Sequence, residues 1–372
     1  MRHDVIIVGA GAAGVGMAAV LKDFGIEDYK LLDRQEVGAS FARWPAEMRL
    51  ITPSFNTTPF GILDLNAVAL NTSVANFLGV EHPTGKQYAR YLEAVVDTLD
   101  IPVQPDWEIT DVEILDNGDF RLSGPRGSLD CGSLIWAAGE FQFPHLTRFP
   151  GAEQCVHNSM VPSFRHLEGE DFMVIGAFES GVDAAVHLAE NGKSVTLLCA
   201  EEALPISDQD PSRSLSPFTR ERLRSALARK LKIKICYNYL VTRVDRIGEG
   251  WSVSPEEGPE LFSSTTPILA TGFRGGLGPV RLMFGYRKDG NVELSEDDES
   301  TVAPGLFLSG PMVRHGNHIL CYIYKFRQRF AVIAETIAER LEIPVSEEIL
   351  ETYERNQMRL LDFSCCGETC AC

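Results

Sequence analysis

The chain has 372 residues, 44% of them hydrophobic, which is enough to bury a large core and to form two domains or one domain with an insertion. A formal charge of −18 leaves no electrostatic footprint for nucleic acid or anionic lipid. No apolar run reaches transmembrane length without a glycine or a charge, and Asp4 interrupts the stretch that resembles a secretory signal, so the expectation is a soluble cytoplasmic protein without membrane insertion.

The first element is a buried strand from Val5 to Val8, followed by a glycine turn and a helix. Gly9, Gly11 and Gly14 stand in G-x-G-x-x-G order, with Ala12 and Ala13 in the opening turn of the helix. The first glycine permits the tight turn, the second a close approach of backbone to pyrophosphate, and the third close packing of helix on strand. A second strand ends at Asp33, placed to accept hydrogen bonds from a ribose 2′-hydroxyl, with Arg34 beside it. This pattern predicts a dinucleotide site.

A loop through Arg43 and Trp44 follows, and Trp44 is a candidate to stack on a flat cofactor. The stretch from Met48 to Gly61, containing Thr52, is rich in hydroxyls, amides and prolines and is a candidate lining for the reactive face. Thr84 caps a predicted helix whose apolar positions are Tyr88, Tyr91, Leu92 and Val95. Short alternating runs follow, with Asn117-Gly118 as a hairpin turn. Leu134 to Gly139 reads as a buried strand returning beside the first site, which makes Gly139 a candidate contact.

Proline-punctuated sequence then leads to a recurrence of the opening pattern. Phe172 to Ile175 is a strand, Gly176 to Gly181 a turn that includes Ser180, and a helix ends at Asn191-Gly192. A repeated βαβ unit predicts a second nucleotide-binding domain, although Phe178 stands where the middle glycine would be. Glu201-Glu202 near the acid position favours NADH, whereas Arg213 and Arg220 could pair with a 2′-phosphate and favour NADPH. Both nicotinamides stay open. A basic helix is expected over Thr219 to Leu231, a closing strand at Pro267 to Gly272, and another buried strand ending at Gly310.

His315 and His318 precede a predicted long helix with an apolar stripe of Ile319, Ile323, Phe326, Phe330, Ile333, Ile337 and Leu341. Its N-terminus would direct a positive dipole end at an electron-rich ring, with His318 a candidate to face substrate. After an acidic helical segment near Ser346 to Leu360 come Cys365, Cys366, Cys370 and Cys372. Four thiols in eight residues suit a soft metal ion such as Zn(II) or Cu(I), and equally suit a thiol redox relay with Cys365 and Cys366 as catalytic residues. The five other cysteines, Cys131, Cys155, Cys199, Cys236 and Cys321, read as inert core residues.

Two dinucleotide folds, the second within the first, resemble the two-domain, thioredoxin-reductase-like flavoproteins. Ala137 to Gly151 and Leu269-Ala-Thr-Gly-Phe273 resemble elements of flavin-containing monooxygenases. The chain as a whole, cysteine tail included, is similar to a bacterial group described as flavin monooxygenases or flavoproteins associated with cation-efflux systems. The resemblance implies an α/β fold of two Rossmann-like domains, with FAD in the first and NADPH or NADH in the second. It divides the chain into 1–165 and 273–345 for FAD, 166–272 for the nicotinamide, and 346–372 for the helical segment and tail. Two departures stand out. Cys155-Val-His157-Asn-Ser lacks the phenylalanine and glycine of the monooxygenase fingerprint, and no C-x-x-C occurs before residue 360.

Three functions follow as expectations. The first is an FAD-dependent NAD(P)H oxidoreductase of monooxygenase type, acting with O2 on a small-molecule substrate. The second is a disulfide or metal-ion reductase using the tail cysteines, and the third a non-enzymatic metal-binding accessory flavoprotein. The sequence admits a homodimer and names no substrate.

Overall fold

The computed structural model describes residues 2–56, 62–208 and 210–363. They divide into two compact units. The first holds the chain up to Ala42, from Pro53 to Glu140 and from Gly275 onward; the second holds Arg43–Thr52 and Phe141–Arg274. No helix among the described residues is long and apolar enough to cross a membrane.

The first unit opens with β1 (Arg2–Val8), α1 (Ala12–Asp23) and β2 (Tyr29–Leu32), a parallel crossover in which Val5, Ile6 and Ile7 are completely buried. Helix α1 carries Gly14 and Gly16 in its interior, where each glycine disfavours a helix by about 1 kcal/mol relative to alanine. Packing explains both. A Cβ on Gly14 would lie 1.7 Å from the Gly9 carbonyl oxygen, and one on Gly16 would lie 2.2 Å from the Phe330 ring.

The short helices α2 (Ala39–Ala42) and α3 (Val74–Leu78) precede α4 (Gly85–Leu99). Thr84 and Gln87 form a reciprocal capping box at its start, as the sequence implies, and its buried stripe contains Tyr88, Tyr91, Leu92 and Val95. Strand β3 (Val103–Gln104) adds to β2. A meander of β4 (Asp111–Ile114), β5 (Phe120–Gly124) and β6 (Gly127–Trp136) then returns the chain to β1, with β4 and β5 turning at Asn117-Gly118. The sheet order is β3-β2-β1-β6-β5-β4.

The second unit is built on β7 (Val156–His157), β8 (Asp171–Ile175), α5 (Glu179–Glu190), β9 (Ser194–Leu198), α6 (Pro217–Ala228) and β10 (Ile233–Cys236). A small antiparallel sheet of β11 (Val241–Ile247), β12 (Gly250–Pro255) and β13 (Leu261–Ser263) follows, and β14 (Ile268–Leu269) completes the parallel sheet in the order β10-β9-β8-β14-β7. Helix α6 begins at Pro217, two residues before the expected start, because Ser216 is its cap and proline fits the first helical turn. The junction at Glu140/Phe141 keeps 141–165 in this unit, where Phe164 is fully buried in its core.

Back in the first unit come a two-stranded ribbon, β15 (Gly285–Tyr286) with β16 (Val292–Glu293), and then β17 (Leu306–Leu308), which pairs with β6. The expected long helix after His318 is interrupted. Arg314–His315 (β18) and His318–Ile319 (β19) form a hairpin closed by Gly316-Asn317, with Gly316 at φ +55. Ile319 is therefore a strand residue, and the helical stretch starts at α7 (Ile323–Phe326), tightens over Arg327–Arg329 and continues as α8 (Phe330–Arg340). Helix α9 (Glu347–Arg355) is shorter than its acidic pattern implies; Asn356 ends it and Gln357 turns at φ +55.

Two arginines in the tightened turn are fully buried. The Arg327 guanidinium donates to the carbonyls of Asp64, Ala67 (2.8 Å) and Leu63 (3.3 Å), so it organises the loop before α3. Burial lowers its pKa to about 10. Replacing it removes the guanidinium donor from all three carbonyls, of which Asp64 O keeps the Ala67 N–H (2.9 Å). Arg327→Met is expected to lower stability by about 3 kcal/mol in urea denaturation with an unchanged m value.

Candidate functional site

In the first unit the C-terminal ends of β1, β6 and β17 meet at the glycine turn. Ala137 N donates to Val8 O (2.8 Å) and Ser309 N to Trp136 O (3.0 Å), so Gly139 and Gly310 follow directly on strand ends that lie beside the end of β1. A Cβ on Gly9, at φ +107, would lie 2.4 Å from Ala137 O. Gly310 sits against Ala13, whose Cβ is 3.2 Å from where a Gly310 Cβ would be. This is the switch point of the sheet, since β1 leads to β2 on one side and lies against β6 on the other.

Gly11 behaves differently from its neighbours. A Cβ there would meet nothing within 4 Å, so the protein's own packing does not require glycine at this position. Gly11 is also the N-cap of α1 and supplies no side-chain cap. The first amides of the helix thus face an open approach, the arrangement that receives a phosphate. Asp33 is held beside the turn, accepting from Ala10 N (2.7 Å) and Gln35 N (2.8 Å). Ala12 and Ala13 are buried in the first turn of α1, and Arg34 is exposed next to Asp33.

The second unit repeats the steric design. A Cβ on Gly176 (φ +105) would lie 2.5 Å from Ala270 O, and one on Gly181 would lie 1.8 Å from Gly176 O. Phe178 takes the middle place with φ −101, an extended conformation open to any residue, and its side chain is 38% exposed. Helix α5 also lacks a side-chain cap. Its first residue, Glu179, accepts instead from Ser216 N, Ser216 Oγ (3.2 Å) and Thr219 Oγ1, which ties the N-terminus of α6 to that of α5. Burial raises the Glu179 pKa against those hydrogen bonds. Ser180 follows in the same turn. Arg213 and Arg220 are exposed, and Arg220 donates to Ile206 O (3.2 Å). Sequence reasoning missed Glu179, because an acid in the first turn of a helix is equally a favourable charge on the dipole.

Trp44 and Thr52 belong to the second unit's segment. Trp44 tilts against Phe141 (5.8 Å between centroids), Phe141 against Phe273 (5.4 Å), and Phe273 meets the edge of His157 (5.2 Å). His157 is fully buried. Its Nε2–H donates to Gly272 O (3.1 Å), so Nδ1 is the acceptor for Ser159 Oγ (2.8 Å) and the ring is neutral. These contacts fasten Gly272 and Phe273 of the A-T-G-F element to the C-V-H-N-S stretch. Of the loop from Met48 to Gly61, residues 57–61 lie outside the described residues.

His315 and His318 stand directly opposite each other on the β18–β19 hairpin, not at a helix N-terminus. The dipole argument made for them therefore does not hold. His315 Nε2 is bonded to Asp298, which is 0% exposed and also accepts from Arg329 Nε (2.9 Å). Both imidazoles stack on Phe363. Asp298 and Phe363 escaped sequence reasoning, since an acid within an acidic run and an aromatic near a chain end carry no signal of burial. Cys365, Cys366, Cys370 and Cys372 lie outside the described residues. Cys131 and Cys199 are buried and the other three single cysteines half-buried; burial raises the thiols of Cys131 and Cys199, and Cys155 to about 12. Among the described residues no group of three or more His, Cys, Asp or Glu side chains could hold a metal ion.

A family model described as pyridine nucleotide-disulphide oxidoreductase matches residues 6–310, a span that includes both glycine turns. The chain belongs to that family. It is an oxidoreductase by that membership. Similarity to an uncharacterized oxidoreductase CzcO of Bacillus velezensis is 26% identity over 197 residues, covering 50% of this chain and 52% of that protein, so the match spans about half of the relative. Indole-3-pyruvate monooxygenase YUCCA6 of Arabidopsis thaliana is 26% identical over 321 residues, 80% of this chain and 72% of the relative. The structure of bacillithiol disulfide reductase Bdr from Staphylococcus aureus superposes with a TM-score of 0.74 over 91% of this chain and 99% of that one. At 18% identity that likeness shows a shared fold.

His157 generates a pH prediction. Burial, opposed by its bond to Gly272, lowers its pKa from 6.5 to about 4. Between those values the unfolded chain takes up a proton that the folded chain refuses, so stability is full above pH 6.5 and falls as pH drops toward 4. The expected loss is about 3 kcal/mol. Urea denaturation across this range in the wild type and in His157→Asn checks it, the variant showing the shallower slope.

Proposed function

We propose that the chain is an FAD-dependent NAD(P)H oxidoreductase of monooxygenase type, with FAD in the first unit and the nicotinamide nucleotide in the second. The observation that carries this reading is the difference between Gly11 and its neighbours. Gly9 and Gly14 are glycine because the fold leaves no space, whereas Gly11 is glycine where the fold leaves space open. An uncapped helix end behind that opening suits a pyrophosphate, and Asp33 suits the ribose. The family name speaks for a pyridine nucleotide, and the second glycine turn, with Ser180 and Gly181, is where we place it.

When bound, flavin accepts a hydride from NAD(P)H and passes two electrons to O2 or to another acceptor. The residues of this chain bind and orient. Gly9, Gly11, Ala12, Ala13 and Gly14 cradle the phosphates, Gly139 and Gly310 border the same turn, and Gly176 and Gly181 hold the second turn open. Glu179 keeps the N-terminus of α6, with Arg220, at the end of the second unit where a nucleotide would lie. With O2 as acceptor, one oxygen atom enters the substrate and the other leaves as water. The YUCCA6 similarity over most of the chain supports this branch.

Two experiments test the reading. Anaerobic mixing of the purified flavoprotein with NADPH or NADH is expected to bleach the flavin absorbance near 450 nm within seconds; an unbleached flavin with both nucleotides would sink it. Gly11→Val is expected to melt within about 1 °C of the wild-type apoprotein, because no atom opposes the new side chain, while losing at least 90% of bound flavin. Retention of flavin by this variant would remove the observation on which the assignment rests.

A further inference from the structure

Strands β6 and β17 run parallel, with Trp136 opposite Leu308, so their C-terminal ends open at the same edge of the sheet. Glu140 follows the end of β6 and belongs to the first unit. Arg314 follows the end of β17, and its guanidinium folds back to donate to Pro311 O (2.5 Å) and Val313 O (2.8 Å). Between β6 and Glu140 lies Gly139, at φ +66, where a Cβ would meet nothing within 4 Å. The backbone there is nevertheless fixed. Gly139 O accepts from Gly276 N (2.8 Å), and Gly276 O accepts from Trp136 Nε1 (2.6 Å). A rigid stem thus carries Glu140 at the switch point of the sheet, next to open space.

Other buried acids of this unit are locked as hydrogen-bond acceptors. Asp64 accepts from Asn66 N, Ser73 Oγ and Ala75 N (3.0 Å each), and Asp298 holds Arg329 Nε (2.9 Å) and His315. Glu140 is half-buried and makes no hydrogen bond or ion pair among the described residues. Burial pushes its pKa up, opposed by the positive charge of Arg314. A carboxylate without donors gains little from ionising, so this group keeps its proton to higher pH than an ordinary glutamate. No neighbour competes for that proton.

We propose that Glu140 is the proton donor of the reaction at the first-unit site, delivering one proton per turnover to the oxygen acceptor, with Arg314 tuning it. The proposal rests on the oxidoreductase reading above and adds the group that closes its proton balance. With O2 alone, NAD(P)H, one proton and O2 give NAD(P)+ and hydrogen peroxide. With an oxidisable substrate, the same three reactants give NAD(P)+, the oxygenated product and water. In both cases the hydride supplies the two electrons and one hydrogen, and the second hydrogen must come from an acid. The O–H bond of Glu140 breaks, an O–H bond forms on the departing oxygen, and the carboxylate regains its proton from solvent. Glu140 is neither oxidised nor reduced. A positioned acid of this kind contributes a rate factor of about 100 or more.

The test uses dissolved O2 as the acceptor and follows nucleotide oxidation and peroxide from acid to alkaline pH. The wild-type rate is expected to fall as pH rises through the Glu140 pKa, because the protonated form is the reactant. Glu140→Gln should lower the rate roughly tenfold or more and lose that limb of the profile. Arg314→Gln should move the limb to higher pH, since the carboxyl then holds its proton longer, and Arg314→Lys should restore it. Carbon-13 NMR of the glutamate-labelled apoprotein follows the same group without flavin. The resonance missing from Glu140→Gln should titrate above the usual glutamate range. Thermal melting and bound-flavin content control for folding. A Glu140→Gln profile that superposes on the wild type, or a Glu140 carboxyl that titrates as an ordinary glutamate, overturns the proton role. Normal anaerobic bleaching in that case leaves the oxidoreductase reading standing, whereas wild-type flavin unbleached by both nucleotides overturns the reading and the proton role together.

Discussion

The architecture depends on four places where a Cβ atom has no room. Gly9 meets Ala137 O and Gly14 meets Gly9 O in the first unit; Gly176 meets Ala270 O and Gly181 meets Gly176 O in the second. The missing carbon lets α1 lie directly on β1 and lets β6 come up beside the turn, and the same holds for α5, β8 and β14. Distances of 1.7 to 2.5 Å from a built Cβ to a carbonyl oxygen are far inside van der Waals contact, so no rotamer change relieves them. Backbone would have to separate from backbone, and the helix end would swing away from the strand end that it faces.

That constraint separates what the fold needs from what a ligand needs. Both turns keep the outer glycines, and only the first keeps the middle one. Gly11 stands before open space, and at the equivalent point Phe178 extends a ring that is more than a third exposed. Two units with one steric skeleton thus present different surfaces at their helix N-termini. The first is bare backbone amide, suited to a tightly held pyrophosphate, and the second is partly covered by an aromatic ring.

Buried charge organises the periphery of the first unit. Arg327 satisfies three carbonyls of the loop before α3, and Arg329 with Asp298 anchors both the histidine hairpin and the C-terminal segment. Both arginines come from the same tightened turn before α8, so one local feature fixes two distant stretches of chain. A buried guanidinium bonded on several sides is costly to disturb, because each removed contact leaves a polar group without water or partner.

The sequence by itself determined the repeated strand–turn–helix units, the capping box at Thr84, the Asn117-Gly118 hairpin and the glycines of both turns. Each is written in a local spacing, and the forces that read it act within a few residues. Tertiary structure alone decided the rest. The stripe from Ile319 to Leu341 looked continuous because apolar periodicity does not register the Gly316-Asn317 turn or the buried arginines that break it. Glu179, Asp298 and Phe363 carried no local signal, since their partners Ser216, Arg329 and His315 lie 37, 31 and 48 residues away. Burial of a charge or an aromatic ring depends on what the folded chain brings against it, and spacing along the sequence does not encode that encounter.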